Sequence, residues 1–253
     1  RETTAAYYKN YIDKHIIPNI GKIKLNKLTT LDIQKFYNKA KTKGRVKRYE
    51  GMKDLSLSAK TIRGLHAMLR QCLDQAVQER LIPYNPAAGC KLPPKEKKEM
   101  HTLPAEKISA YLAAAEEHGV LSMFYLELTT GLRRGELVAL LWDDLDLEAQ
   151  TLTISKSAGR INGEVKVTQP KTANSVRTIY LPQETINLLI QEHAKHPSNP
   201  IMFPSPVTSK LYGPDCIVRL HKTLLKKAGI TENIPFHGLR HTFATLAIQQ
   251  GVD

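Results

Sequence analysis

HGLRHTFAT, residues 237–245, gathers two histidines and an arginine within its first five positions. His237 stands three residues before Arg240, so the two share a helix face once a helix has begun. His237 and His241 are four apart, as in a zinc-binding pair. The residues between them are GLR, however, and not the glutamate-bearing spacer of a metalloprotease helix, so no metal is expected. Two earlier segments concentrate further cations: TGLRRGEL (130–137) and QPKTANSVRTIYL (169–181). An arginine in a helix is ordinarily a solvated charge, and a lysine in a hairpin is ordinarily exposed. The meaning lies in the three segments together, in this order.

The surrounding pattern is mostly helical. Thr3 and Thr4 are placed to cap a helix carrying Tyr8, Tyr11, Ile12 and Ile16, with Pro18 beyond its end. Thr30 is expected to cap a second helix, with Ile33, Phe36, Tyr37 and Ala40 on one face, ending near Gly44. Lys41, Lys43, Arg45, Lys47, Arg48 and Lys53 then form a basic stretch containing Gly44 and Gly51, read as a loop or short hairpin. Ser58 opens a long helix, expected over 58–82, with Ile62, Leu65, Leu69, Leu73, Ala76 and Val77 inward and Lys60, Arg63, Arg70 and Arg80 on other faces. Residues 91–101, KLPPKEKKEMH, are charged, proline-bearing and nearly devoid of apolar side chains, which marks a linker.

Beyond the linker, helices are expected from Pro104 (with Ile108, Leu112 and Ala115 on one face), over Val120–Thr130 up to Gly131, and over Arg133–Trp142. The period then changes: Thr151–Ser155, Glu164–Thr168 and Val176–Leu181 alternate and suit one small antiparallel sheet. Helices resume near Pro182, Gly213 and Pro235.

Charge separates the halves. Residues 1–100 hold 22 Lys and Arg against 9 Asp and Glu; the rest hold 15 of each, so the whole excess of +13 lies in the first hundred residues. A basic half beside a neutral one suggests one half that grips a polyanion, and nucleic acid is the foremost candidate. No stretch reaches the ~18 apolar residues of a membrane span, and no lipid-facing amphipathic helix stands out. Cys72, Cys90 and Cys216 are far apart and odd in number, which fits reduced thiols and neither a disulfide framework nor a zinc ribbon. No carboxylate cluster suggests the paired metals of a nuclease.

The three cation-bearing segments resemble the signatures of the tyrosine recombinases, the family of phage and transposon integrases and Xer-type recombinases. The resemblance covers nearly the whole chain. It implies a mainly α fold with a small antiparallel sheet, in two lobes: an all-helical core-binding domain (1–92), a linker (93–101) and a mixed α+β catalytic domain (102–253). It implies that Arg133 and Arg240 clamp the scissile phosphate, that Lys171 protonates the departing 5′ oxygen, and that His237 acts beside that phosphate as donor or base. Paired guanidiniums suit the task, because charge develops on the non-bridging oxygens and fixed bidentate donors stabilise it. Arg134 would point about 100° away from Arg133 on a helix and is the second choice. Glu136 is expected to hold the Arg133 guanidinium, and His241 to be structural.

Further expectations follow from the resemblance. The partner is double-stranded DNA at recombination sites, bound by a homo-multimer, dimer to tetramer, without a cofactor, in a bacterial, cytoplasmic, DNA-associated setting. The two lobes are expected to close round the duplex, with helix 58–82 at the major groove through Lys60, Arg63 and Arg70 and the Arg45, Lys47, Arg48 stretch on phosphate. The family's nucleophile is a tyrosine well beyond the HxLRH segment, whereas all ten tyrosines here precede that segment. The chain also opens at Arg1 rather than Met. It is therefore expected to be a fragment lacking its nucleophile, and inactive in cleavage. The basic stretch 41–54 leans towards a mobile-element integrase. A Xer-type chromosome-resolving recombinase, a DNA-binding relative without catalysis, and a type IB topoisomerase-like enzyme are the alternatives.

Overall fold

The computed structural model describes residues 2–47, 49–96, 99–161, 163–169 and 176–251. The chain folds as two units, Arg1–Lys98 and Glu99–Asp253.

The first unit is built of helices. Helix α1 (Glu2–Tyr11) runs through a π-helical turn, Ile12–Ile16, into the short α2 (Ile17–Ile20). Pro18 therefore does not follow the helix but lies inside the helical run. The π turn restarts the register, so Pro18 falls in the first turn of α2, where a missing N–H costs nothing. The same shift rotates the buried face. Tyr11, His15 and Ile20 are inside, while Tyr8 and Ile12 from the expected face are exposed, and Thr3 and Thr4 lie within α1 rather than at its cap. Helix α3 (Thr30–Lys43) is capped by Thr29, one residue earlier than expected, through a capping box with Asp32; Ile33, Phe36, Tyr37 and Ala40 are buried. Lys41 and Lys43 belong to its last turn, where cations suit the helix dipole. The loop that follows is closed by Arg45 N–H to the Leu55 carbonyl at 2.7 Å and Leu57 N–H to the Ala40 carbonyl at 3.0 Å. Helix α4 (Ala59–Gln78) is capped by the Ser58 side chain and buries Ile62, Leu65, Leu69, Leu73 and Ala76. It stops before residue 82, because Arg80 adopts a left-handed conformation (φ 58°) that a helix cannot continue through.

The second unit opens with a 3₁₀ turn and α5 (Ile108–Glu117), then α6 (Leu121–Thr130). Helix α7 is only Arg134–Val138, not the expected Arg133–Trp142. The backbone beyond it is drawn to a different partner: Trp142 N–H bonds the Pro200 carbonyl and Met202 N–H the Leu140 carbonyl, both at 3.0 Å. The expected single sheet is two. Strands β1 (Leu145–Asp146), β2 (Thr151–Ile154) and β5 (Arg177–Tyr180) form one, in the order β1-β2-β5; β3 (Ser157–Ile161) and β4 (Glu164–Thr168) form a separate hairpin. Gly159 lies inside β3, and the turn falls at Gly163, whose φ of 91° suits glycine. Helices α8 (Gln183–Lys195), α9 (Pro214–Lys227) and α10 (Phe236–Gln249) are preceded by Pro182, Gly213 and Pro235, each extended at the N-cap.

Two contacts place the site. Helix α10 packs on α6, and β3 packs on α7. Leu126 of α6 and Leu239 of α10 are wholly buried in the same core, each contributing about 1.5–3 kcal/mol of apolar burial. Among the described residues, no helix is long and apolar enough to cross a membrane.

Candidate active site

The site grows from one sharp turn. Helix α6 ends at Gly131, whose left-handed φ of 57° closes the helix through its N–H on the Glu127 carbonyl. A side chain here would also strike Phe243, which leaves 2.5 Å for a Cβ. Two residues later, Arg133 is extended (φ −73°, ψ 144°) at the N-cap of α7. It therefore stands outside the helix, and its separation from Arg134 is not a helical 100°. Arg133 is exposed and Arg134 half-buried.

Glu136 organises this turn. Its Oε2 accepts the Arg133 backbone N–H and its Oε1 the Arg133 Nη1, both at 2.9 Å. Arg177, the first residue of β5, reaches the same carboxylate from the other side: Nη2 donates to Oε2 at 2.8 Å and Nη1 to Oε1 at 3.4 Å. Burial pushes the carboxyl up, but the bonds from Arg177 and from the Arg133 backbone and guanidinium outweigh it and hold Glu136 at about 2. It is thus ionised at any physiological pH, with two guanidiniums fixed on it.

Helix α10 brings the remaining groups. Arg240 Nη1 donates to the Gly131 carbonyl, on the turn that carries Arg133. Gly238 allows α10 to start this close to its neighbours: a Cβ there would lie 2.5 Å from the His101 carbonyl. Thr242 pins the same helix by accepting the Leu103 N–H at 2.8 Å. His237 is exposed, and its imidazole is held below its ordinary value first by partial burial, then by the charges of His241, Arg240 and Arg133. It is therefore neutral at pH 7, able to donate from one nitrogen and accept at the other. His241 meets His237 edge to face, with ring centroids 4.7 Å apart, and its Nε2 is buried without a hydrogen-bond partner.

Behind the turn sits Glu127, wholly buried, with neither carboxyl oxygen hydrogen-bonded. Burial drives its carboxyl well above the usual carboxylate range; the Arg240 charge pulls it down and Glu136 pushes it up.

The structure thus brings together five sequence-predicted residues: Arg133, Glu136, His237, Arg240 and, against His237, His241. Lys171 lies outside the described residues, as does Arg48. Sequence reasoning missed Arg177 and Glu127. Arg177 had a signal: it alternates with Ile179 on the inward face of β5, where an arginine needs a buried partner. Glu127 had one as well, as the single charge in the apolar run of α6. In the first unit, Arg45, Lys47, Lys60 and Arg70 are exposed. Arg63 is half-buried, with its Nε committed to the Pro93 carbonyl at 2.9 Å, so it is the least free of the proposed DNA contacts. No group of three potential metal ligands occurs among the described residues.

Chemically, the site combines two guanidiniums, a neutral imidazole and a buried counter-charge, suited to an oxyanion whose charge grows during reaction. The fold agrees. The chain superposes on the Tn1549 transposon integrase in complex with a circular intermediate DNA with a TM-score of 0.82 at 19% identity, over 100% of this chain and 83% of that one. For a lambda integrase tetramer bound to a Holliday junction the TM-score is 0.75 at 20% identity, over 100% and 69%. The class is therefore that of the tyrosine-recombinase fold. Residues 100–253 match the phage integrase family, and residues 1–40 the phage integrase N-terminal SAM-like domain. The chain belongs to the phage integrase family of tyrosine recombinases. Relatives include a XerC-like tyrosine recombinase of Caldanaerobacter subterraneus subsp. tengcongensis, 27% identical over 97% of this chain and 66% of that protein. The ICEBs1 integrase of Bacillus subtilis is 27% identical over 98% of this chain and 67% of its own length. The chain thus spans about two thirds of the length of these relatives.

Proposed function

We propose that this chain carries the DNA-binding surface and the phosphate-activating residues of a site-specific integrase of a mobile genetic element. The observation that carries the reading is the bond from Arg240 to the Gly131 carbonyl, two residues from Arg133, which sets both motif arginines around one turn. In this reading the two guanidiniums hold the non-bridging oxygens of a DNA phosphodiester. His237, neutral, shares a hydrogen bond with the same phosphate or takes the proton of the attacking hydroxyl. A tyrosine Oη attacks phosphorus, forming a 3′-phosphotyrosyl bond as the 5′ oxygen leaves, and Lys171 gives that oxygen its proton. Rejoining reverses the step and needs no cofactor. All ten tyrosines precede His237. Of these, Tyr111 is tied to buried His221 and Tyr125 to Glu184. In this reading the nucleophile is, as in the family, a tyrosine that follows the HGLRH segment, and residues 1–253 alone are expected to bind without cleaving.

The partner is double-stranded DNA at recombination sites, and the working form is a multimer, dimer to tetramer, in the bacterial cytoplasm. Lambda integrase is seen as a dimer on a core site and as a tetramer on a Holliday junction, which supports this reading. The first unit, Arg1–Lys98, would contact the duplex through Arg45, Lys47, Lys60 and Arg70, and the second, Glu99–Asp253, would carry the chemistry. The XerC-like relative keeps a chromosome-resolving role as the second reading. Recombination between an element's ends and a separate target supports integration; resolution of a repeated chromosomal site alone supports the second reading.

The test is a nicked suicide duplex incubated with this chain and with a longer form extending past residue 253. The longer form should yield a covalent adduct on a denaturing gel, and this chain only a shifted band on a native gel. Binding by both with no adduct on any cognate site would leave a DNA-binding relative and remove the catalytic roles.

A further inference from the structure

We propose that Arg177 is a positioning residue of the cleavage site, one that holds the Arg133 guanidinium in place by completing the hydrogen bonding of Glu136. The inference rests on the function proposed above and adds a residue to it.

The geometry is a saturated carboxylate. Glu136 Oε1 accepts Nη1 of Arg133 and Nη1 of Arg177, and Oε2 accepts the Arg133 backbone N–H and Nη2 of Arg177. The Glu136 side chain is 8% exposed, so each of these donors offsets desolvation that water cannot relieve. Arg177 is itself held by the sheet, its Cα paired with Ile154 of β2. The chain of support therefore runs from a strand backbone, through a two-donor fork, to a buried carboxylate, and ends on a side chain that is 58% exposed. That last side chain is the one needing help. An exposed arginine loses rotamer freedom when it is fixed. A catalytic donor gains most when it is fixed before the reaction begins.

Fold stability alone does not account for this arrangement. An ion pair shielded from water is often replaceable by apolar side chains at no loss. Here, though, the carboxylate binds both the backbone and the guanidinium of Arg133, so its orientation sets where Arg133 begins and where it points. Arg177 fixes that orientation from the opposite side, and a lysine would supply charge without the planar fork.

The experiment uses the longer, adduct-forming protein with Arg177→Gln and Arg177→Lys. Single-turnover cleavage of the nicked duplex, DNA affinity and Tm are measured for each. Arg177→Gln should retain affinity within about threefold and lose about 10- to 100-fold in cleavage rate, the scale of a small misplacement of a catalytic group. Arg177→Lys should fall between Gln and the parent, and added guanidinium should restore part of the Gln variant's rate. A merely structural arginine predicts a different pattern, in which cleavage falls only in proportion to folded protein or bound DNA and guanidinium has no effect. That pattern, or a Gln variant as fast as the parent, overturns the inference and leaves the proposed function standing. A parent that forms no adduct overturns the proposed function first and this inference with it.

Discussion

The two units use their cations in opposite ways. In the first, Arg45, Lys47, Lys60 and Arg70 stand exposed, and the ion pairs they make are long: 3.8 Å for Arg45 with Asp54 and 3.9 Å for Arg70 with Asp74. Pairs of that kind contribute little to stability and leave the charge available to a ligand. In the second unit, net charge over residues 101–253 is zero, yet its key arginines are fixed at close range by Glu136 and by a backbone carbonyl. In the proposed function, the excess of charge is what gathers DNA, and the fixing of charge is what prepares a place for a phosphate to react. Total charge and catalytic placement are separate properties of this chain, and variants should separate them.

The largest effect should come from the second unit. Arg240→Ala removes one guanidinium and the bond that ties α10 to the Gly131 turn. Losing a preorganised donor of this kind typically costs about 10²–10³ in rate. DNA affinity should change only a few-fold, since one of many cations is gone. Single-turnover cleavage and a native-gel titration on the longer protein measure the two together. Equal losses of binding and cleavage would erase the distinction between the units and count against the clamp.

A smaller and differently shaped effect should come from the first unit. Arg45→Gln with Lys47→Gln should weaken DNA binding at every sequence and make the salt dependence shallower. The slope of log K against log salt should lose roughly 0.9 for each phosphate contact removed. Cleavage at saturating DNA should hold. An unchanged slope would show that this loop does not touch phosphate and that the unit's charge acts elsewhere.

What was legible in the sequence follows the same division. Helices α3 and α4 were plain because their buried faces, from Ile33 to Ala40 and from Ile62 to Ala76, repeat at helical spacing and depend only on local order. Gly131 and the two motif arginines were legible as residue types in a fixed order. The failures are where distant sequence decides. Residues 139–142 left the expected helix for hydrogen bonds with 200–202. Strand β2 keeps β1 on one edge but passes over β3 and β4 to pair on the other with β5, Thr151 opposite Tyr180. The π turn at Ile12–Ile16 rotated a face that periodicity alone would place one step away. Arg177 lay inside a quoted motif, but its meaning depends on Glu136, 41 residues earlier.

Glu127 gives the smallest expected effect and the sharpest test of how charge is handled in the second unit. It is wholly buried, neither oxygen has a hydrogen bond, and burial raises its carboxyl well above the ordinary range despite Arg240 nearby. At a pH below that range the group is neutral in both folded and unfolded chains, and it carries no penalty. As pH rises, the unfolded chain ionises first while the folded one keeps its proton, so stability is lost progressively until the raised folded value is passed. Glu127→Gln removes the titration at nearly constant shape. Its Tm should equal the parent's near pH 4 and exceed it by a few degrees at pH 8, at about 2–4 °C per kcal/mol for a chain of this size. If the parent is instead the more stable at pH 8, Glu127 is ionised and paired with Arg240. The turn behind Arg133 would then be held by a second fixed charge pair, and Glu136 would not be the sole carboxylate organising the site.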